Sequence, residues 1–300
     1  MGDELFGQAP YHRFKEFISP QSDRFTLLCS VLMELSLPYR ILTLEKKRHI
    51  AVYPAGKKTA AFFPGPAKPG TIFTAHYDRV PQSSGANDNG AAVFQLLETA
   101  ASISSQPVLF IFTDGEELSA GEALHNQGSY GLGLFLKEEG LGSMRIFTFD
   151  ACGAGDTLII STAADYLLRD KPGTGTEAVR RRVTALRSAA LDAAREARLE
   201  KALLLPTPFS EDAGFLLSGL AAQTVTVLPE TEAANFASLV RIKHKTAAAL
   251  LSDTAPQPAD RRLIPETWRS LNSPSDSPLR LTPRHWKQVV AFALALAGQC

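Results

Sequence analysis

Apolar residues recur at helical spacing over 22–36 (SDRFTLLCSVLMELS), behind a Ser/Asp start that predicts a capped helix. Two apolar runs, 49–55 and 59–65, flank the basic turn Gly56-Lys57-Lys58 and predict a hairpin. A Pro/Gly-rich loop then leads into 71–78 (TIFTAHYD), a buried-type strand ending in polar residues. From there the pattern alternates. Helices are predicted at 91–103, 129–140, 177–201, 210–220 and 284–298, with strands at 107–117, 144–153, 156–163 and 222–230. Strands alternating with helices predict an α/β fold with a mixed, mostly parallel central sheet of six to eight strands flanked by helices. Only one helix follows the Pro-rich stretch 252–283. That stretch therefore reads as a long ordered loop, and residues 1–300 as one domain.

Composition narrows the function classes. Apolar residues make up 45% and charged residues 21% of the 300, as in ordinary globular proteins. Thirty-one Lys and Arg balance thirty-one Asp and Glu. A chain with no net charge is a poor candidate for nucleic acid or an anionic membrane surface, which both reward a basic one. No run reaches the roughly 18 apolar residues of a membrane span. The start of the chain has no basic stretch followed by an apolar one, so the expected setting is the cytoplasm. Cys29, Cys152 and Cys300 are too few and too far apart for a disulfide framework or a thiolate zinc site.

The polar groups that finish the central strands are the candidate chemistry: His76 and Asp78, Glu116 and Glu117, and Asp150. In open α/β sheets the ligand site lies beyond the carboxyl ends of the strands, so these groups converge on one crevice. A His-x-Asp triplet or a Glu pair is usually incidental, and most strand-end Asp residues cap helices or make salt bridges. Gathered together and buried, however, carboxylates are costly unless a cation compensates them. His76 and Asp78 share a side if the strand runs through both, which suits an imidazole ligand held by a nearby carboxylate. The turn at 85–90 (GANDNG) either caps the next helix or aims Asp88 into the crevice.

The segments TAHYDRV (74–80), GANDNGAAV (85–93), FTDGEEL (112–118) and FDACGAGD (149–156), in this order and spacing, resemble the co-catalytic zinc aminopeptidases, a group that includes the glutaminyl cyclases. The similarity continues through SEDAGFLLSGLAAQTVTVLP and WRSLNSPSDSPLRLTP, covering roughly residues 70–295. The resemblance implies that His76 and Asp150 bind a first zinc, that Asp88 bridges two metals, and that Glu117 binds the second. It implies Asp78 as the carboxylate orienting His76, and Glu116 as the general base that takes a proton from water. The implied substrate is a peptide or small amide.

One position departs from the pattern. Asn272 stands where these relatives carry the histidine that ligates the second metal. The second site then keeps Asp88, Glu117 and the amide oxygen of Asn272, a set that suits Mg²⁺ or Mn²⁺ better than Zn²⁺, or it stays empty. His244 and His285 have no spacing that marks them as substitutes. The intact half is the first site of the peptidases, so an aminopeptidase is expected first, a glutaminyl cyclase-like acyltransferase second, and a weakened or inactive peptide-binding homologue third. Other readings weigh less. FDACGAGD resembles a nucleotide-binding Gly-x-Gly turn, but a strand-like run follows it where a helix should. The arginines of 177–201 are interleaved with acids, as on a solvated helix face. Trp268 and Phe209 are loop aromatics for which core packing is the first expectation and a side-chain pocket the second.

Overall fold

The computed structural model describes residues 2–54, 70–103, 106–119, 121–169, 173–242 and 263–299. Eight strands form one sheet in the order β1-β2-β4-β3-β5-β8-β6-β7. They are β1 (Tyr39–Leu44), β2 (Lys47–Val52), β3 (Thr71–His76), β4 (Val108–Thr113), β5 (Arg145–Phe149), β6 (Thr157–Ser161), β7 (Ala202–Leu205) and β8 (Ala222–Leu228). The central four, β4-β3-β5-β8, run parallel, as does β6 with β7. The antiparallel joints are β1–β2, β2–β4 and β6–β8. The mixed, mostly parallel sheet is the one expected from the alternation.

The helices that pack on it are α1 (Arg24–Glu34), α2 (Ala92–Ser102), α3 (Gly128–Glu138), α4 (Thr174–Glu196), α5 (Glu211–Leu217), α6 (Glu230–Ile242) and α7 (Trp286–Gly298). Side chains alternate across the sheet. Phe73, Phe110 and Phe147 turn to one face, beneath α1, α2, α4 and α7. Ile72, Leu109, Ile111 and Ile146 turn to the other, against α3 and α5. A smaller cluster under α6 joins Ile159, Leu205 and Leu228 to Phe236 and Trp268. Burying both faces is what makes the inner strands read as continuous apolar runs.

Two expectations need correction. The hairpin lies upstream of its predicted place: β2 pairs with β1 across a turn in which Glu45 and Lys46 take positive φ, and its other edge is taken by β4. The second predicted strand, 59–65, lies outside the described residues, as does most of 252–283. The strands also stop short of the acidic groups. β3 ends at His76 and β4 at Thr113, so Asp78, Glu116 and Glu117 sit on the turns that follow. DTLIISTA does continue as a strand, β6, which removes the basis for a nucleotide-binding turn. Among the described residues no helix is long and apolar enough to cross a membrane.

Candidate metal centre

Beyond the carboxyl ends of β3, β4 and β5, one crevice collects His76, Asp78, Asp88, Glu116, Glu117 and Asp150. His76 is fully buried. Its Nε2 lies 3.1 Å from Asp88 Oδ1 and 3.7 Å from Asp150 Oδ1, and its Nδ1 lies 3.5 Å from Asp78 Oδ1. Ligand atoms of His76, Asp88 and Asp150 all fall within 4.8 Å of one another, as do those of His76, Glu116 and Glu117.

Each segment is fixed by its own bonds. The Asp78 carboxylate accepts the backbone N–H groups of Glu116 (3.3 Å) and Glu117 (3.0 Å), tying the turn after β4 to the turn after β3. Asp78 therefore faces His76 although it lies beyond the strand. Asp88 sits in a tight turn (86–91) with extended φ and ψ and caps no helix, and its peptide bond to Asn89 is cis. The asparagines on either side fasten this turn to the end of β5. Asn87 Oδ1 accepts from Gly153 N (2.7 Å), Asn89 Nδ2 donates to the Phe149 carbonyl (2.8 Å), and Asn89 Oδ1 accepts from Ala151 N (3.2 Å). Gly153 has no room for a side chain, since a Cβ there would lie 2.5 Å from that of Ala91.

The electrostatics are those of a buried anionic pocket. Burial raises the pKa of Asp88, helped by the charges of Asp150 and Asp78 and opposed by His76. Burial also pushes Glu117 up to about 9, with Asp88 adding to it, and lifts Glu116 well above the carboxylate range. Burial resists charging of His76, but Asp150, Asp78 and Asp88 outweigh it and push the imidazole pKa up. For Asp78, burial is outweighed by His76 and the two backbone donors, so its carboxyl stays below the usual range. The groups compete for protons because several acids are buried around one imidazole.

A metal ion fits this arrangement. Both ring nitrogens of His76, Asp150 Oδ1 and Glu117 Oε1 are buried without a well-directed hydrogen bond, despite the short His76–Asp88 distance. Buried polar atoms left without partners are uncommon and costly. One imidazole with carboxylates is a donor set that zinc accepts.

Several residues of the pocket carried no signal in the sequence reading. Gln127 Nε2 donates to Glu116 Oε1 at 3.0 Å. Glu211 and Asp212 are fully buried at the start of α5, where Thr113, the register neighbour of His76, donates its hydroxyl to Glu211. Burial pushes Glu211 up to about 8 and Asp212 to about 7. Asp276 accepts the backbone N–H of Asn87 (2.9 Å) and Asp88 (3.1 Å), and burial raises it to about 6. It belongs to the same LNSPSDSP segment as Asn272, so an acid in that loop was the available clue.

Asn272 itself takes φ of +58°, and its carbonyl accepts from Gln82 at 3.4 Å. Among the described residues its side chain makes no hydrogen bond to the carboxylates. His285 receives a bond from its neighbour Arg284 and lies outside the cluster, and His244 lies outside the described residues. Trp268 packs edge-on to Phe236 at 5.3 Å and also walls a small cavity of about 20 Å³ beside Asp150 and Ala151; Phe209 does not line it.

The model of peptidase family M28 matches residues 59–196. No curated protein sequence matches the chain. Solved structures that share the fold include three that show the range of likeness. One is BSAP, a zinc aminopeptidase from Bacillus subtilis, with 20% identity, a TM-score of 0.52, and coverage of 84% of this chain and 49% of that one. The chain thus spans about half the length of BSAP. The LapA aminopeptidase of Legionella pneumophila aligns over 99% of this chain and 71% of its own, with 13% identity and a TM-score of 0.60. The glutaminyl cyclase of Porphyromonas gingivalis aligns over 100% and 98%, with 13% identity and a TM-score of 0.61. Over residues 59–196 the chain is thus similar to peptidase family M28, and its fold is the one that these zinc aminopeptidase and glutaminyl cyclase structures share.

Proposed function

We propose that this chain is a metal-dependent amide hydrolase, an aminopeptidase that releases N-terminal residues from peptides. The observation that carries the reading is the convergence of His76, Asp88 and Asp150, with unpartnered buried atoms, beside the Glu116 carboxylate. In this reading His76, Asp88 and Asp150 hold one Zn²⁺ firmly. Glu117, with Asp88 and the Asn272 amide, offers only oxygen to a second ion and suits Mg²⁺ or Mn²⁺ better. When bound, zinc polarises the amide carbonyl and lowers the pKa of water to about 7.

The rest falls to the chain. Asp78 holds the His76 ring in orientation. Glu116, its Oε1 fixed by Gln127, takes the proton of the attacking water and passes it to the leaving amine. A cytoplasmic setting fits the free thiols of Cys29 and Cys152.

The test combines elemental analysis of the purified protein with a panel of aminoacyl-p-nitroanilides. The expected result is about one zinc per chain and release of nitroaniline. Glu116→Gln should lower turnover by about 10²–10⁴-fold and keep the metal. A metal-free protein inert towards every substrate would sink the reading. A second reading, cyclisation of N-terminal glutamine, draws on the end-to-end alignment with the Porphyromonas gingivalis cyclase. Ammonia release from glutaminyl peptides, without nitroaniline release, would select it.

A further inference from the structure

Arg24 opens α1, far in sequence from every group in the crevice, yet it is only 5% exposed. Among the described residues no carboxylate lies within ion-pair distance of it. A guanidinium has five N–H donors in a fixed planar fork. Here all five meet backbone carbonyls. Nε donates to Phe17 (3.3 Å), Nη1 to Tyr77 (3.0 Å) and Asp78 (3.3 Å), and Nη2 to Ser84 (2.6 Å) and Gly85 (3.0 Å). The plane rests over the Phe17 ring, 4.5 Å from its centroid.

The acceptors are the informative part. Tyr77 and Asp78 directly follow His76, and Ser84 and Gly85 directly precede the turn that presents Asp88. One rigid group therefore holds both ends of the loop that separates these two side chains. Gly85 is shaped to receive it: its φ is +56°, and a Cβ there would lie 2.5 Å from Arg24 Nη2 and 2.7 Å from the Asp88 carbonyl oxygen. Arg79 braces the same loop from outside. Its Nη1 reaches the Ser83 carbonyl (3.1 Å), and its Nη2 reaches those of Ser19 (3.0 Å) and Pro20 (2.8 Å).

We propose that Arg24 is a positioning residue of the metal centre, setting the separation of His76 and Asp88 through the backbone carbonyls of residues 77–85. The inference rests on the reading of the cluster as a metal site. Lysine cannot take the place of Arg24, because three donors on a tetrahedral nitrogen leave at least two of the five carbonyls unpaired. Groups that orient metal ligands without touching the metal are worth about 10–100-fold in affinity.

The test is Arg24→Lys, with Arg79→Lys beside it. Folding is followed by circular dichroism and thermal unfolding, Zn²⁺ affinity by chelator competition, and geometry by the visible spectrum of the Co²⁺-loaded protein. The expected result is a folded Arg24→Lys variant with at least about tenfold weaker Zn²⁺ binding and a shifted Co²⁺ spectrum, and a smaller change in Arg79→Lys. Wild-type affinity and an unshifted spectrum in Arg24→Lys would overturn the inference alone. A wild-type protein that takes up neither ion would overturn the metal reading and this inference with it. Should Arg24→Lys not fold, Gly85→Ala displaces the guanidinium while keeping its charge, and an unchanged Co²⁺ spectrum there would equally overturn it.

Discussion

The two sides of the crevice are held in different ways. On one side, His76, Asp88 and Asp150 stand on segments joined by the amides of Asn87 and Asn89, the Asp276 carboxylate and the Arg24 fork, none of which is loosely placed. On the other side, Glu117 hangs from a turn at Gly115 (φ +77°) that is tied by Asp78 and leans on His49, whose Nδ1 accepts from Asp114 N at 3.2 Å. Asn272 lies on a loop at positive φ, bonded through its carbonyl to Gln82 and, among the described residues, not to the carboxylates. The first side is built before any ion arrives, and the second is completed only in part. Preorganised ligands lose less freedom on binding, so one cation should dominate the stoichiometry.

The largest expected effect breaks this asymmetry from the strong side. His76→Ala should weaken Zn²⁺ binding roughly a thousandfold, about one ligand's share of a zinc binding energy of about 10–16 kcal/mol. Asn272→Ala should leave the first equivalent unchanged. Titration calorimetry on both variants checks the pair, and equal losses would erase the distinction between the sides.

The next effect is on the weak side and depends on pH. Burial, with the Lys47 charge, lowers the pKa of His49 to about 4, and the side chain is fully buried. The unfolded chain takes up this proton near pH 6.5, the folded chain only near 4. The stability contributed by neutral His49 is therefore present above about pH 6.5 and is lost as pH falls towards 4, a loss of about 3 kcal/mol. Urea unfolding at pH 7.5 and 4.5 should show that slope reduced in His49→Phe. Parallel curves for the two proteins would remove His49 from the account.

The smallest change sharpens the comparison by repairing the weak side. Asn272→His should move the metal content from about one towards two per chain, read by elemental analysis after dialysis. An unchanged content would mean that this position does not face the cluster.

The order of elements was legible where burial is strong. Strands β3, β4, β5 and β8 are buried along nearly their whole length, and their apolar runs announced them. β1 escaped because only Leu42 of its six residues is buried, which leaves no alternation to see, and β7 is four residues at the opposite edge. The polar strand ends were visible, and the structure brings His76, Asp78, Asp88, Glu116, Glu117 and Asp150 together. Their supports were not visible, because Glu211 and Asp276 act across large sequence separations and Gln127 sits in a segment that looks like an ordinary turn. Arg24 had one signature: it precedes Leu27, Leu28 and Val31 at helical spacing and so shares their buried face. A charge on an apolar stripe needs a partner, and here the partner is bare backbone.

The turn that presents Asp88 takes its bonds from both halves of the chain. Its approach is gripped by a residue of the opening helix, and the N–H groups of Asn87 and Asp88 end on Asp276, 189 and 188 residues downstream. During synthesis, the emerging central strands can align long before that acceptor leaves the ribosome. A nascent chain therefore cannot complete the bonds of this turn until residue 276 has docked.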